Sequence, residues 1–151
     1  MDIGSKSGYP SSSLSNFAPH PFVIDGVECN SMEGFLQSLK FSSVEMQKHV
    51  CTLVGVTAKY KGKHKKWWVE QTLYWQGKEY KRESEEYAQL ISRAYDELAK
   101  NNSFRKAILA QPNATLTHSM GKNDMSHTVL TEREFISNLY RVRSNLLNEL
   151  K

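Results

Sequence analysis

The sequence predicts an α+β fold: a compact, mainly helical single domain carrying a small β-hairpin or sheet. Three observations predict it. Apolar residues recur at helical spacing behind capping residues, most cleanly at Tyr87, Leu90, Ile91, Ala94, Tyr95 and Leu98 after Ser84. Asp25-Gly26 separates the short runs Phe22-Val23-Ile24 and Val27-Glu28-Cys29, and this pair tolerates the positive φ angles of a two-residue hairpin turn. At 151 residues, with no internal repeat, the chain has the length of one domain with a real core.

In chain order, residues 1–14 are rich in Ser and Gly and carry no periodicity, so they are expected as a flexible N-terminal leader, or a loop, before a domain over 15–151. Ser15-Asn16-Phe17-Ala18-Pro19-His20-Pro21 follows, an extended path set by two prolines. Phe17 there is either a hydrophobic anchor or a stacking platform for a base. After the hairpin, Met32, Phe35, Leu36 and Leu39 form the apolar face of a helix that Asn30 or Ser31 can cap, with Glu33 at capping-box spacing from Asn30. Ser42 and Glu45 suggest a second box before Met46, Val50, Leu53 and Val54, in a helix ending at Gly55. Residues 59–66 read as a basic strip, and Leu73 to Gly77 as a strand ending in a turn. Asn101-Asn102 ends the Tyr87–Leu98 helix, and Ser103 starts a shorter one with Phe104, Ala107 and Ile108. Thr131 and Glu134 form a full box opening a last helix with Phe135, Leu139, Val142 and Leu146 on one face.

Three stretches carry candidate chemistry. Glu33, Gln37 and Lys40 fall within an arc of about 60° on the shoulder of their helix, an acid, an amide and an amine where core meets solvent. The plainer reading is that Glu33 caps its helix and Lys40 complements the dipole. Lys59, Lys61, Lys63, Lys65 and Lys66 precede Trp67-Trp68, which suits a cationic, aromatic-flanked strip for phosphates and bases, or a solvated loop with tryptophan core anchors. Leu116 to Asp124 is a polar loop in which His118, Ser119 and Gly121 are ligand-contact candidates, or an ordinary turn.

Composition narrows the classes. No apolar run approaches a membrane span of about 20 residues, and the N-terminus has no signal-peptide core, so a cytoplasmic location is expected. Cys29 and Cys51 lack zinc or CxxC spacing and are expected as reduced, structural thiols, while the five histidines are scattered without ligand spacing, so no metal is expected. A net charge of +4 permits a polyanionic partner without demanding one.

Ser15-Asn16-Phe17, the hairpin, and Glu33-Gly34-Phe35-Leu36-Gln37-Ser38-Leu39-Lys40-Phe41 together resemble the YbiA-like, or NADAR, family, linked to NAD and ADP-ribose chemistry. The last run looks like the family's Glu, aromatic, Gln, two residues, Lys-Phe pattern. Looser agreement continues through Trp67 or Trp68, Asn102, Phe104-Arg105 and Leu109 to a closing arginine at Arg141 or Arg143. In the late loop many relatives carry Trp-Gly with further glycines, where this chain has His118-Ser119-Met120-Gly121-Lys122-Asn123. The resemblance implies an N-glycosidase that removes ADP-ribose from ADP-ribosylated guanine in nucleic acid, or one acting on a phosphoribosyl intermediate of the riboflavin pathway. It implies no cofactor. A non-catalytic ADP-ribose- or nucleic-acid-binding module is the alternative of a different class.

One carboxylate and one lysine, rather than two carboxylates, suit an amine that traps an opened ribose as a Schiff base. In that expectation Lys40 is the nucleophile and Glu33 the proton shuttle. Asn16 and Phe17 hold ribose and base, and His118, Ser119 and Gly121 hold phosphate or the proximal ribose.

Overall fold

The computed structural model describes residues 1–151. A single cluster of 29 buried side chains forms the core. Around it run α1 (Ser11–Leu14), β1 (Phe22–Ile24), β2 (Val27–Cys29), α2 (Met32–Ser38), α3 (Val44–Cys51), α4 (Gly55–Gly62), α5 (Trp67–Glu70), β3 (Thr72–Trp75), β4 (Lys78–Lys81), α6 (Glu85–Leu98), α7 (Asn102–Leu109) and α8 (Glu132–Glu149). The strands pair antiparallel as two separate hairpins, β1 with β2 and β3 with β4. The α+β class is the one expected, with a second hairpin that the Leu73–Gly77 reading half captured.

The first hairpin turns at Asp25 (φ 49°) and Gly26 (φ 78°), the paired positive φ angles that Asp-Gly tolerates. Phe22, Ile24, Val27 and Cys29 face the core while Val23 and Glu28 face out, the alternation of a half-buried ribbon. Asp25 then ties the turn to the body. It accepts from Trp75 Nε1 at 2.8 Å and pairs with both terminal nitrogens of Arg93 in α6.

Residues 1–14 are not the mobile leader expected. Ile3 and Leu14 are buried, and Ile3 N donates to Thr117 O at 2.8 Å in an isolated parallel bridge. Composition hid this, because one buried Ile in a Ser/Gly-rich stretch leaves no periodic signal.

Ser31, one of the two caps expected, caps α2 and accepts from Gly34 N at 3.0 Å, so the Glu33 carboxyl is free of capping duty, while other boundaries shift. Its helix ends at Ser38, which leaves Lys40 in the turn beyond it. Ser43, not Ser42, caps α3, which stops at Cys51; Gly55 (φ 59°) opens α4, so the front of the basic strip is helical and not a loop. Asn101, not Ser103, caps α7. The Thr131–Glu134 box on α8 and the Ser84 cap on α6 are as expected.

Candidate active site

Glu33 lies in the first turn of α2, and its backbone N–H donates to Asn16 O at 3.0 Å, drawing the Asn16-Phe17 loop over the helix start. Tyr95, buried in α6, donates its hydroxyl to Asn16 Oδ1 at 2.7 Å and holds that loop from behind. Helix geometry no longer positions Lys40, but its neighbours do. Leu39 O accepts from Tyr74 N at 2.8 Å, and Phe41 O accepts from the buried Gln47 amide at 2.9 Å. The same Gln47 amide bonds Tyr74 O at 2.7 Å, so the turn is clamped to β3 on both sides of Lys40.

Glu33, Gln37 and Lys40 line one cavity of about 320 Å³ with Asn16, Phe17, Lys59, Trp67, His118 and Gly121. Glu33 Oε2 accepts from Gln37 Nε2 at 3.0 Å, and Lys40 Nζ reaches Gly62 O at 3.4 Å. Acid and amine are thus neighbours without being locked as an ion pair. Burial pushes the Glu33 carboxyl above the ordinary carboxylate range, against the smaller pull of Gln37, Lys40 and Lys59. Burial pushes the Lys40 ammonium down, against the opposing charge of Glu33. Gln37 Oε1 is buried with no partner, an acceptor left open beside this pair. Gly62 lets the Gln37 amide come close, since a Cβ on it would force Gln37 Oε1 to move and crowd the Lys40 side chain.

The late loop supplies a second part of the cavity lining. His118 Nδ1 lies 2.7 Å from Ile3 O, and since a carbonyl only accepts, the proton is on Nδ1 and the neutral ring keeps its lone pair on Nε2. The ring packs edge-on against Phe135 at 5.0 Å. Gly121 is crowded by His118 and Glu132, leaving no room for a Cβ. Further along, Arg82 is buried. It donates Nε to Thr128 O at 2.8 Å and both terminal nitrogens to Glu134, at 3.2 and 2.6 Å. Tyr87 donates its hydroxyl to Val129 O at 2.6 Å. Arg82 and Tyr87 therefore set the path of residues 128–131, which line the same cavity.

The profile of the family described as Bacteriophage protein GP30.3 matches residues 8–144. The chain belongs to that GP30.3 family. A curated member-like relative, the uncharacterized 17.1 kDa protein of the Gp30–rIII intergenic region of Enterobacteria phage T4, is 38% identical over 149 residues, 97% of this chain and 98% of its own length. Among solved structures, the NMR structure of the E. coli protein YbiA superposes with a TM-score of 0.65, covering 99% of this chain and 86% of that one at 18% identity. The likeness to YbiA is one of fold, and it is the fold that the Glu33–Phe41 pattern implies.

In this GP30.3-family protein the expected site residues divide into two groups. Asn16, Phe17, Glu33, Gln37, Lys40, Lys59, His118 and Gly121 meet at the cavity. Ser15 does not line it; its hydroxyl accepts from Phe17 N at 3.2 Å and shapes the loop. Ser119 points to the Asp2 carboxylate at 2.6 Å. Lys61, Lys63, Lys65 and Lys66 are exposed outside the cavity, with Lys63 over the Tyr60 ring and Lys65 over Phe41. Trp67 is buried, as the anchor reading has it, and Trp68 is exposed. Neither late arginine closes the site: Arg141 pairs with Asp96, and Arg143 donates to Gln111 O and Ala114 O. Lys122, part of the polar loop flagged from the sequence, lines the cavity too; sequence reasoning passed over His127 and the 128–131 wall. Their only sequence signal is proximity to the α8 capping box, since their anchors lie far away at Arg82 and Tyr87. No helix is long and apolar enough to cross a membrane.

Proposed function

We propose that this protein is an N-glycosidase that removes ADP-ribose from ADP-ribosylated guanine in nucleic acid. The observation that carries the proposal is the acid and amine facing one cavity, each pushed by burial toward its neutral form. An amine that holds a lone pair is a nucleophile, and a carboxyl that keeps its proton is an acid; both are needed at one sugar carbon.

In the proposed reaction protonated Glu33 gives its proton to O4′ as the C1′–O4′ bond breaks and the ribose ring opens, and the Lys40 amine attacks C1′. The Glu33 carboxylate takes a proton from the attacking Lys40 nitrogen and passes it to the guanine amine nitrogen; the C1′–N bond to guanine breaks, guanine leaves as a neutral amine, and a protonated C1′=N imine to Lys40 remains. Water then adds to C1′ while the Glu33 carboxylate takes its proton. The C1′–Nζ bond breaks, Lys40 recovers its amine, and the freed sugar closes again. The net change is one water consumed and one glycosidic bond exchanged for a hydroxyl. Gln37 holds Glu33 in place, and the Gly62 carbonyl holds Nζ short of an ion pair. The tautomer of His118 presents a lone pair to a ligand hydroxyl or N–H. Lys59 at the cavity, with Lys61, Lys63, Lys65, Lys66 and exposed Tyr60 and Trp68, suits the strand that carries the modified base.

The test is incubation of the protein with ADP-ribosylated DNA. Free ADP-ribose and restored guanine are the expected products. Salt-sensitive binding with no release would instead make the chain a non-catalytic nucleic-acid module.

A further inference from the structure

Resting on the glycosidase reading, and going beyond it, a second hollow concerns the phosphates of the substrate. The reacting cavity of about 320 Å³ has room for a ribose and its attached base, at the small end of ligand sites. A diphosphate and a second nucleoside need space outside it. That space exists across Phe17, a residue that lines both cavities: a hollow of about 560 Å³. Its lining holds the hydroxyls of Ser5, Ser12, Ser13 and Ser103, the Lys106 ammonium and the His20 ring, and it includes no carboxylate. His20 is buried, with 8% of its surface exposed, and its Nε2 lies 2.8 Å from Ser13 O. That carbonyl can only accept, so Nε2 carries the proton and Nδ1 is unprotonated in the neutral ring. Tyr9 stands 65% exposed at the margin, a free aromatic face of the kind on which bases stack.

From these observations we infer that the hollow across Phe17 is an anion subsite that takes a phosphate ester and the nucleoside next to it, with Lys106 and the serine hydroxyls on phosphate oxygens and Tyr9 on the base. A lysine is a sufficient point charge for phosphate, and hydroxyls supply the neutral donors. Phe17 is then the divider that lets one ligand bend from the reacting cavity into the subsite. Two sources supply this chemistry: the diphosphate and adenosine of ADP-ribose itself, or the next nucleotide of the modified strand.

The experiment is calorimetric titration of the full chain and its Lys106→Glu and Tyr9→Ala variants. Both residues are exposed, so both variants should fold. ADP-ribose is the probe in one arm and an unmodified single-stranded oligonucleotide in the other. A Lys151→Glu variant, at an exposed lysine that lines neither cavity, controls for loss of general positive charge. The expected result is a loss of about tenfold or more in ADP-ribose affinity for Lys106→Glu, with a smaller loss for Tyr9→Ala and little change for Lys151→Glu. Loss confined to the oligonucleotide arm assigns the subsite to the strand and also supports it. Unchanged affinity in both arms, or no binding of either probe by the wild type, overturns it. Turnover is read separately. Lys106-dependent binding without base release sinks the glycosidase reading alone, and base release with KM untouched by Lys106→Glu sinks the subsite alone.

Discussion

Helix α2 and the loop from Leu116 to Thr131 line the same cavity but are held in place by different means. In α2 the supports are mostly near in sequence: the Ser31 cap, the Gln37–Glu33 bond one turn apart, and Gly34, which lets the helix sit against the Leu53 carbonyl. In the loop, local bonds such as those of Asp124 to Ser126 and His127 are joined by a set of remote ones. Ile3 orients His118, Asp2 binds Ser119, Gln71 binds Ser126, Arg82 binds Thr128 and Glu134, and Tyr87 binds Val129. The difference teaches where each half of the site is encoded. Glu33 and Gln37 are set within one helix, while Lys40 is placed by Tyr74 and Gln47 beyond it. The 128–131 stretch of the cavity depends on side chains scattered over the chain, so it can change without any alteration in the Glu33–Lys40 run.

The comparison breaks most sharply at Glu33. Glu33→Gln removes the transferable proton while keeping an acceptor for Gln37, so base release should fall by roughly 10² to 10⁴-fold with the circular dichroism spectrum unchanged. Activity retained would remove α2 from the chemistry.

Next in size is the remote half. Arg82→Met leaves the Glu134 carboxylate and the Thr128 carbonyl without their donor in a site where Arg82 is fully buried. Unfolding in urea should show a loss of about 3 kcal/mol. ADP-ribose binding by the protein that remains folded should weaken, because residues 128–131 lose their anchor. A loss of stability with binding untouched would detach this wall from recognition.

The local half should respond more mildly to loss of its cap. Ser31→Ala orphans the Gly34 N–H and costs about 1 kcal/mol by the same measurement.

The smallest effect is electrostatic. The folded pKa of Glu33 lies above its unfolded value near 4.5, so the folded state holds a proton that the unfolded state has released. The resulting stability is fully present below that value and is lost as pH rises through the folded pKa. Lys40 has the opposite sign. Its folded pKa is depressed from 10.5, so its contribution is present above that value and lost as pH falls through the folded one. Urea midpoints from about pH 4.5 to 8 should therefore decline less steeply for Glu33→Gln than for the wild type, and the variant should be the more stable of the two near neutrality.

The same contrast explains what was legible in the sequence. The Asp25-Gly26 turn, the α6 stripe and the Thr131–Glu134 box could be read because their signals are periodic or lie three residues apart. Glu33, Gln37 and Lys40 could be grouped from helical spacing, although Lys40 owes its place to Tyr74 and Gln47 rather than to the helix. Ile3, Arg82 and Tyr87 could not be read as site supports, because their partners lie 42 to 115 residues away. An arginine five residues past a tight turn looks like any exposed cation until Glu134 folds over it. Ser15 and Ser119 illustrate the reverse error, polar residues beside the site whose hydroxyls are already engaged.

The central claim is that the Lys40 amine forms a covalent bond to the sugar. Borohydride added during turnover of ADP-ribosylated guanosine, followed by peptide mass mapping, tests it most directly. The account predicts a reduced ADP-ribose adduct on Lys40 that is absent without substrate. No adduct at Lys40, together with a Lys40→Ala variant that still releases guanine, would contradict it.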